Sequence, residues 1–357
     1  MIISASRRTD IPAFYTPWLL RRLREGYALV RNPVNPRLVY HVPLSGADTR
    51  CIVFWTRDPA PLLDRLAELE DFGIPFYFLF TLTGYGPELE RNRPYRLQVL
   101  RTFSTLSRRL GPERVVWRYD PILFTPEYTP AVHLQLYSRL CRELAGSTAR
   151  CIVSFLTLYN KCRRNLAAFE LTDPTCRQKA DLAGEMKTVA ASRGIELTSC
   201  ASKEMVQAGV PAGKCVDDLL ISRISGGGYR GRKDRSQRGD CLCVASADIG
   251  AYDTCVHHCL YCYANSNYRT ALQRHRSHDP RSPSCTAPCT RRISCWRERV
   301  SRWSTSSAPE ADSDGQRVVY SDGATDQSLH LVQHGPAKFV LVAAFEVAVE
   351  LFLFYLT

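Results

Sequence analysis

Short apolar runs rich in β-branched and aromatic residues recur along this chain, separated by stretches whose apolar positions fall every three or four residues. The runs predict strands at 1–6, 51–56, 76–83, 115–121, 151–158, 195–201 and 219–221, with a further β segment at 38–43. The intervening patterns predict helices at about 13–25, 61–71, 95–110, 130–145 and 177–193. Strands that alternate with helices imply a parallel sheet joined by crossover helices. The run Phe76-Tyr-Phe-Leu-Phe80 is apolar on both faces, as a sheet covered on both sides requires. Seven or eight such units over about 265 residues fit a (β/α) barrel, complete or partial. A doubly wound open sheet is the competing architecture. It is disfavoured because no strand-Gly-x-Gly-x-x-Gly-helix unit occurs; the run from Gly226 to Gly231 has the wrong spacing and reads as a flexible loop.

Polar residues collect where the predicted strands end. Ser4, Ser6, Arg7, Arg8 and Asp10 follow the first strand, and Thr56, Arg57 and Asp58 the second. Thr81 and Thr83 end the third, Arg118 and Asp120 the fourth, Thr157 and Tyr159 the fifth. In a barrel these ends converge on one mouth, where active sites lie. Strand-end capping explains any one of them, but less well the repeated Arg and Asp pairs.

Of the 357 residues, 45% are hydrophobic, enough for a large core, and global disorder is excluded. The net charge is +12, yet only seven of the 47 basic residues are lysines. Residues 269–303 hold nine basic and two acidic residues, so the densest patch lies outside the predicted barrel strands. A short apolar start meets Arg7, Arg8 and Asp10 with no apolar signal region, so a cytoplasmic, reducing location is expected. There, clustered cysteines are more often metal ligands or reactive thiols than disulfides. The count of fifteen, being odd, also argues against full pairing.

The strongest chemical signal is Cys255-Val-His-His-Cys259-Leu-Tyr261-Cys262. Three thiolates within eight residues can wrap one corner of a [4Fe-4S] cluster and leave one iron open to a small ligand. Zinc is the alternative, with His257 or His258 as fourth ligand. A second set comprises Cys241 and Cys243, a C-x-C pair, with Cys200 at a strand end and Cys215. These four are candidates for a second Fe-S cluster or a zinc ion. Cys51, Cys141, Cys151, Cys162 and Cys176 sit in strand or helix patterns and are expected to be packing residues.

The run from Cys255 to Cys262 resembles the C-x3-C-x-aromatic-C signature of the radical SAM superfamily, with Tyr261 at the aromatic position. More of the chain resembles the DUF1848 family. The matching stretches are Ser4-Ala-Ser-Arg-Arg-Thr-Asp-Ile-Pro-Ala-Phe14, Val53-Phe-Trp-Thr-Arg-Asp-Pro59, Thr81-Leu-Thr-Gly-Tyr85, Trp117-Arg-Tyr-Asp-Pro121 and residues 255–265. The likeness covers about residues 1–283 and implies a radical SAM-like cluster loop placed near the C-terminal end, at 241–265. In the superfamily that loop follows the first barrel strand, so a circular permutation is expected, with residues 244–250 delivering the loop beside the strand at 1–6. By the same likeness Ser6, Arg7, Arg8 and Asp10 would hold the amino and carboxylate groups of S-adenosylmethionine (SAM), although the superfamily's Gly-Gly-Glu type motif is absent there.

The resemblance implies reductive cleavage of SAM to a 5'-deoxyadenosyl radical, with a flavodoxin or ferredoxin as reductant. Tyr261 would pack near the adenine, and Arg57, Arg118 and Asp120 would face an unknown, anionic substrate. Arg118-Tyr-Asp-Pro121 also resembles motifs of the spore photoproduct lyase group, which makes nucleic acid a candidate substrate. The competing function is a zinc-stabilised nucleic-acid-binding protein without SAM chemistry. Residues 284–357 form an atypical tail, rich in Ser, Arg and Cys at first, and the abrupt break suggests disorder or a shifted reading frame. The apolar stretch 339–357 is long enough to span a bilayer, but Glu346 and Glu350 would make that costly and, being four apart, allow an amphipathic or partner-bound helix; no membrane is expected for the barrel.

Overall fold

The computed structural model describes residues 1–35 and 38–286, and the backbone of three short strands at Val300–Arg302, His330–Gln333 and Phe339–Val342. Most of the tail from 284 onward, with Cys289, Cys295, Glu346 and Glu350, lies outside the described residues.

Nine strands lead the chain: β1 (Ile2–Ala5), β2 (Tyr27–Arg31), β3 (Val39–Pro43), β4 (Cys51–Thr56), β5 (Phe76–Thr81), β6 (Val115–Ile122), β7 (Arg150–Phe155), β8 (Glu196–Ser199) and β9 (Ala247–Asp248). Seven of them form one parallel sheet in the order β8-β7-β6-β5-β4-β1-β9. The sheet is therefore α/β and parallel as expected, but it is open. Among the described residues β8 and β9 end it on opposite sides, and the sheet does not close into a barrel. From β1 to β8 each new main-sheet strand is added on the same side, which is one-way winding rather than the double winding of a Rossmann-type sheet. Right-handed crossovers then place the helices that join β1 to β8 on one face.

The alternation of each strand divides the core. Ile3, Ile52, Phe54, Phe78, Trp117 and Val153 point to the helix side. They pack against Leu19 of the helix Thr16–Glu25, Phe103 of Arg96–Leu110, Tyr137 of Pro130–Leu144 and Met186 of Cys176–Ala191. Their neighbours Ile2, Val53, Tyr77, Leu79, Val116 and Ile152 form a second buried cluster on the other face. That face is covered by the segment 200–246, through Val216, Leu220, Ile221 and Val244. Tyr77 anchors this cover: its hydroxyl donates to the Cys215 carbonyl at 2.6 Å and accepts from the Asp217 N–H at 3.1 Å.

Two of the predicted β segments differ from expectation. Residues 219–221 are helical, within Asp218–Ile224. Asp217 caps that helix, its carboxylate accepting from the Leu219 N–H at 2.9 Å, and Leu220 and Ile221 are buried while Leu219 is exposed. Three apolar residues fit either period, and the cap decides. The β segment at 38–43 exists as β3, but it pairs antiparallel with β2 in a separate hairpin. The chain past β9 stays packed on the fold through the helix Tyr268–Arg276 and beyond: Trp18 Nε1 donates to the Ser282 carbonyl at 2.9 Å, and Cys285 is buried.

Candidate metal and cofactor site

The β9–β1 pairing builds the site. Asp248, at the end of β9, accepts from the hydroxyls of Ser4 and Ser6 at 3.0 and 2.6 Å and from the N–H groups of Arg7 and Gly250 at 2.7 and 3.0 Å. One carboxylate thus joins the ends of two strands whose residues are far apart in sequence. Gly250 is required beside it, because a Cβ there would sit 2.6 Å from the Ser6 Cβ.

The cysteine loop follows directly. Asp10 ties it to the end of β1. Its carboxylate caps the helix Ile11–Phe14 at the Ala13 N–H (3.0 Å), accepts from the Arg57 N–H (2.7 Å) and lies 2.8 Å from His257 Nε2. The Tyr263 hydroxyl donates to the Arg7 carbonyl at 3.1 Å. Residues 4–10 and the loop at 255–262 are therefore neighbours. On its other side the loop docks on residues 85–92. A bridge joins Glu90 to Cys259, the Leu260 N–H donates to the Leu89 carbonyl at 2.9 Å, and Asn92 contacts the carbonyls of Val256 and His257. Leu260 and Tyr261 are buried there with Tyr85, Leu89, Leu123 and Leu166.

Cys255, Cys259 and Cys262 are partly exposed, on one loop. Burial raises all three thiols, Cys259 to about 12, so a metal would have to displace their protons. Arg57 and Lys161 act in the opposite direction at Cys262. Three thiols with no fourth thiol of the same loop suit a soft metal cluster with an open corner.

Arg57 lies against the loop. It donates to the Tyr261 hydroxyl at 2.7 Å and to Thr83 at 3.3 Å, and it pairs with Glu90, which also accepts from Tyr261 and Thr83. Burial opposes its charge, but Glu90 and Tyr261 more than offset that and keep the guanidinium ionised. Tyr261 therefore has its hydroxyl in this network. Ser6 and Asp10 are likewise buried and engaged within the protein. Arg7 and Arg8 differ. Arg8 stacks over Tyr252 at 5.3 Å and, among the described residues, meets no carboxylate. Arg7 reaches Asp234 at 3.5 Å, while its Nη2 is buried with no partner among the described residues.

Arg118 and Asp120 pair with each other farther along the same face, and Ser154 donates to Asp120. Trp55 lies between Arg118 and Arg7, with guanidinium carbons 4.9 and 5.4 Å from its ring. Arg118 Nε and Trp55 Nε1 are buried and unpartnered among the described residues too. Three such buried donors thus belong to this Arg7–Trp55–Arg118 group.

The second cysteine set also converges. The sulfurs of Cys200, Cys215 and Cys243 all lie within 4.8 Å of one another, and Cys241 adjoins Cys200 and Cys243. The neighbouring thiols hold Cys243 far below the usual thiol range. Of the cysteines expected to be packing residues, Cys51, Cys141, Cys151 and Cys162 are buried. Cys176 is instead exposed, because it opens its helix on the outward side.

Sequence reasoning did not single out Glu90, Asp248 or Trp55. Trp55 had a signal, its place at a strand end between two arginine-bearing ends. Glu90 and Asp248 had none, since their partners come from distant segments.

The family model described as "Domain of unknown function (DUF1848)" matches residues 2–264. The chain belongs to the DUF1848 family. The match takes in all seven strands of the main sheet and ends just past Cys262, so the cysteine loop is part of the DUF1848 domain. No match was found among curated proteins or among solved structures. Among the described residues of this DUF1848 protein, no helix is long and apolar enough to cross a membrane.

Proposed function

We propose that this DUF1848 protein is a radical SAM-like iron–sulfur enzyme acting on an anionic substrate. One observation carries the reading: the C-x3-C-x2-C loop leaves β9, which pairs in parallel with β1, and the end of β1 packs on that loop. The one-way winding of the sheet favours a partial, permuted barrel of radical SAM type over an open nucleotide-binding sheet.

In this reading Cys255, Cys259 and Cys262 hold a [4Fe-4S] cluster, and the thiol donor set fits that soft group. Bound there, the cluster would supply one-electron reduction of SAM to methionine and a 5'-deoxyadenosyl radical, with a flavodoxin or ferredoxin as the electron source. The protein's own residues position and shield. Arg7 and Arg8 supply cations for the SAM carboxylate. Ser6 and Asp10 act behind them, holding the end of β1 against the loop through Asp248 and His257. Arg57 and Glu90 fix Tyr261 and with it the loop's inner turn. Arg118 and Asp120, paired with each other beside Trp55, are the residues of this face that would meet the substrate.

The test is anaerobic purification and reconstitution with iron and sulfide, followed by SAM and a reductant. A brown protein that forms 5'-deoxyadenosine, and a colourless Cys262→Ala variant lacking both properties, are expected. A protein that stays colourless and carries zinc on this loop would overturn the reading in favour of a zinc-stabilised binding module.

A further inference from the structure

We propose that Cys200, Cys215, Cys241 and Cys243 hold a single tetrahedral zinc ion that ties together the two ends of the open sheet. The inference does not depend on the function proposed above.

The four residues come from three separate segments. Cys200 directly follows β8, one edge strand. Cys215 follows a stretch bridged to that same edge, Ser199 to Ala212. Cys241 and Cys243 precede β9, the opposite edge strand. Chance packing of buried thiols does not explain this. Cys51, Cys141 and Cys151 are also buried, but among the described residues they form no such group of three ligand atoms.

The spacing selects the kind of metal. Zinc bonds thiolate at about 2.3 Å, which places the sulfurs of a tetrahedral site about 3.8 Å apart. The sulfurs of Cys200, Cys215 and Cys243 all lie within 4.8 Å, which suits one shared ion. A four-iron cluster holds each thiolate on a different iron and would separate them further. The four cysteines are buried, so no open coordination position faces solvent, as a structural site requires. Four thiolates around a divalent ion leave two negative charges. The N–H groups of Cys215 and Val216 point at the Cys243 sulfur at 3.3 and 3.4 Å and temper that charge. Arg7 and Arg118 lie close enough to act on Cys243 and Cys215.

The ion would thus do what backbone hydrogen bonds do in a closed barrel. It would join the β8 end to the β9 end and hold the 200–246 cover on the inner face, beside Arg7 and Arg118.

The test uses the full chain with Cys255, Cys259 and Cys262 all changed to Ser, which removes the other metal loop. This protein is expected to retain one equivalent of zinc and no acid-labile sulfide. Replacing zinc by cobalt should give the intense visible absorption of tetrahedral cobalt thiolate. Adding Cys241→Ser and Cys243→Ser should abolish both and lower the melting temperature. If the triple variant does not fold, zinc-edge X-ray absorption on the wild-type protein answers the same question, with four sulfur neighbours expected. Absence of stoichiometric zinc, iron with sulfide in its place, a Cys241–Cys243 disulfide, or fewer than four sulfur neighbours would overturn the proposal.

Discussion

Glu90 is nearly inaccessible, and among the described residues its charge is matched by Arg57 alone, with Tyr261 and Thr83 as further donors. Removing one partner of a buried pair leaves the other desolvated and unpaired. Glu90→Ala is therefore expected to cost about 3–5 kcal/mol in urea unfolding. A cost below about 1 kcal/mol would mean that Arg57 escapes to water. His133 gives a pH signature. It is fully buried between the Tyr119 hydroxyl (2.9 Å) and the Leu123 carbonyl (2.7 Å), and burial pushes its pKa down to about 4. Between its unfolded value and about 4 the unfolded chain binds a proton that the folded chain refuses. Stability is thus full above that window and falls as the pH drops through it, by at most about 3 kcal/mol. Burial lowers His278 in the same direction, also to about 4. Unfolding curves of wild type and His133→Gln at pH 7 and pH 4.5 should differ in slope with pH, the variant being flatter. Parallel curves would assign the acid sensitivity elsewhere. The cysteines were legible at this scale because spacing alone exposes them. Glu90 was not, since nothing local distinguishes a paired core carboxylate from one on a surface turn.

The junction of β1 and β9 is the element on which the site depends. A side chain at Gly250 would press on Ser6 and Thr9. Gly250→Ala is expected to cost about 1–3 kcal/mol through overpacking. It should also lower the iron retained after reconstitution, whereas Gly239→Ala, with open space around it, should change neither. Equal iron in both variants would uncouple the junction from the loop. The strands β4 and β5 were readable because burial on both faces writes an unbroken apolar run. β2 was not, since it follows its helix with only Gly26 between, and that glycine ends the helix in the left-handed conformation (φ 77°). β9 is two residues long, too short to carry a periodic signal, although its place before the cysteine loop was expected.

At the scale of the molecule, the parallel sheet was legible and closure was not. Alternating strands and helices specify a parallel sheet, but whether its ends meet depends on contacts between segments that no local pattern encodes. The open arrangement predicts a gradient of protection. Amides of β5, flanked by β4 and β6, should exchange slowest, and those at Ala247–Ile249 among the fastest of the sheet in metal-free protein. Hydrogen exchange read by mass spectrometry checks this, and uniform protection across the sheet would show that the edges are as firmly held as the centre.

The pairing of β1 with β9 also governs how the protein is made. β1 leaves the ribosome before the other strands of its sheet, yet one of its two sheet neighbours lies at Ala247–Asp248. At roughly 5–20 residues per second, the nascent chain waits on the order of ten to forty seconds between completing β4 and receiving β9. Throughout that interval one edge of β1 stays unpaired, with the apolar Ile2 and Ile3 beside it. The open edge of β1 is thus an adhesive surface during synthesis, and slow translation or a truncated message would prolong the risk of aggregation.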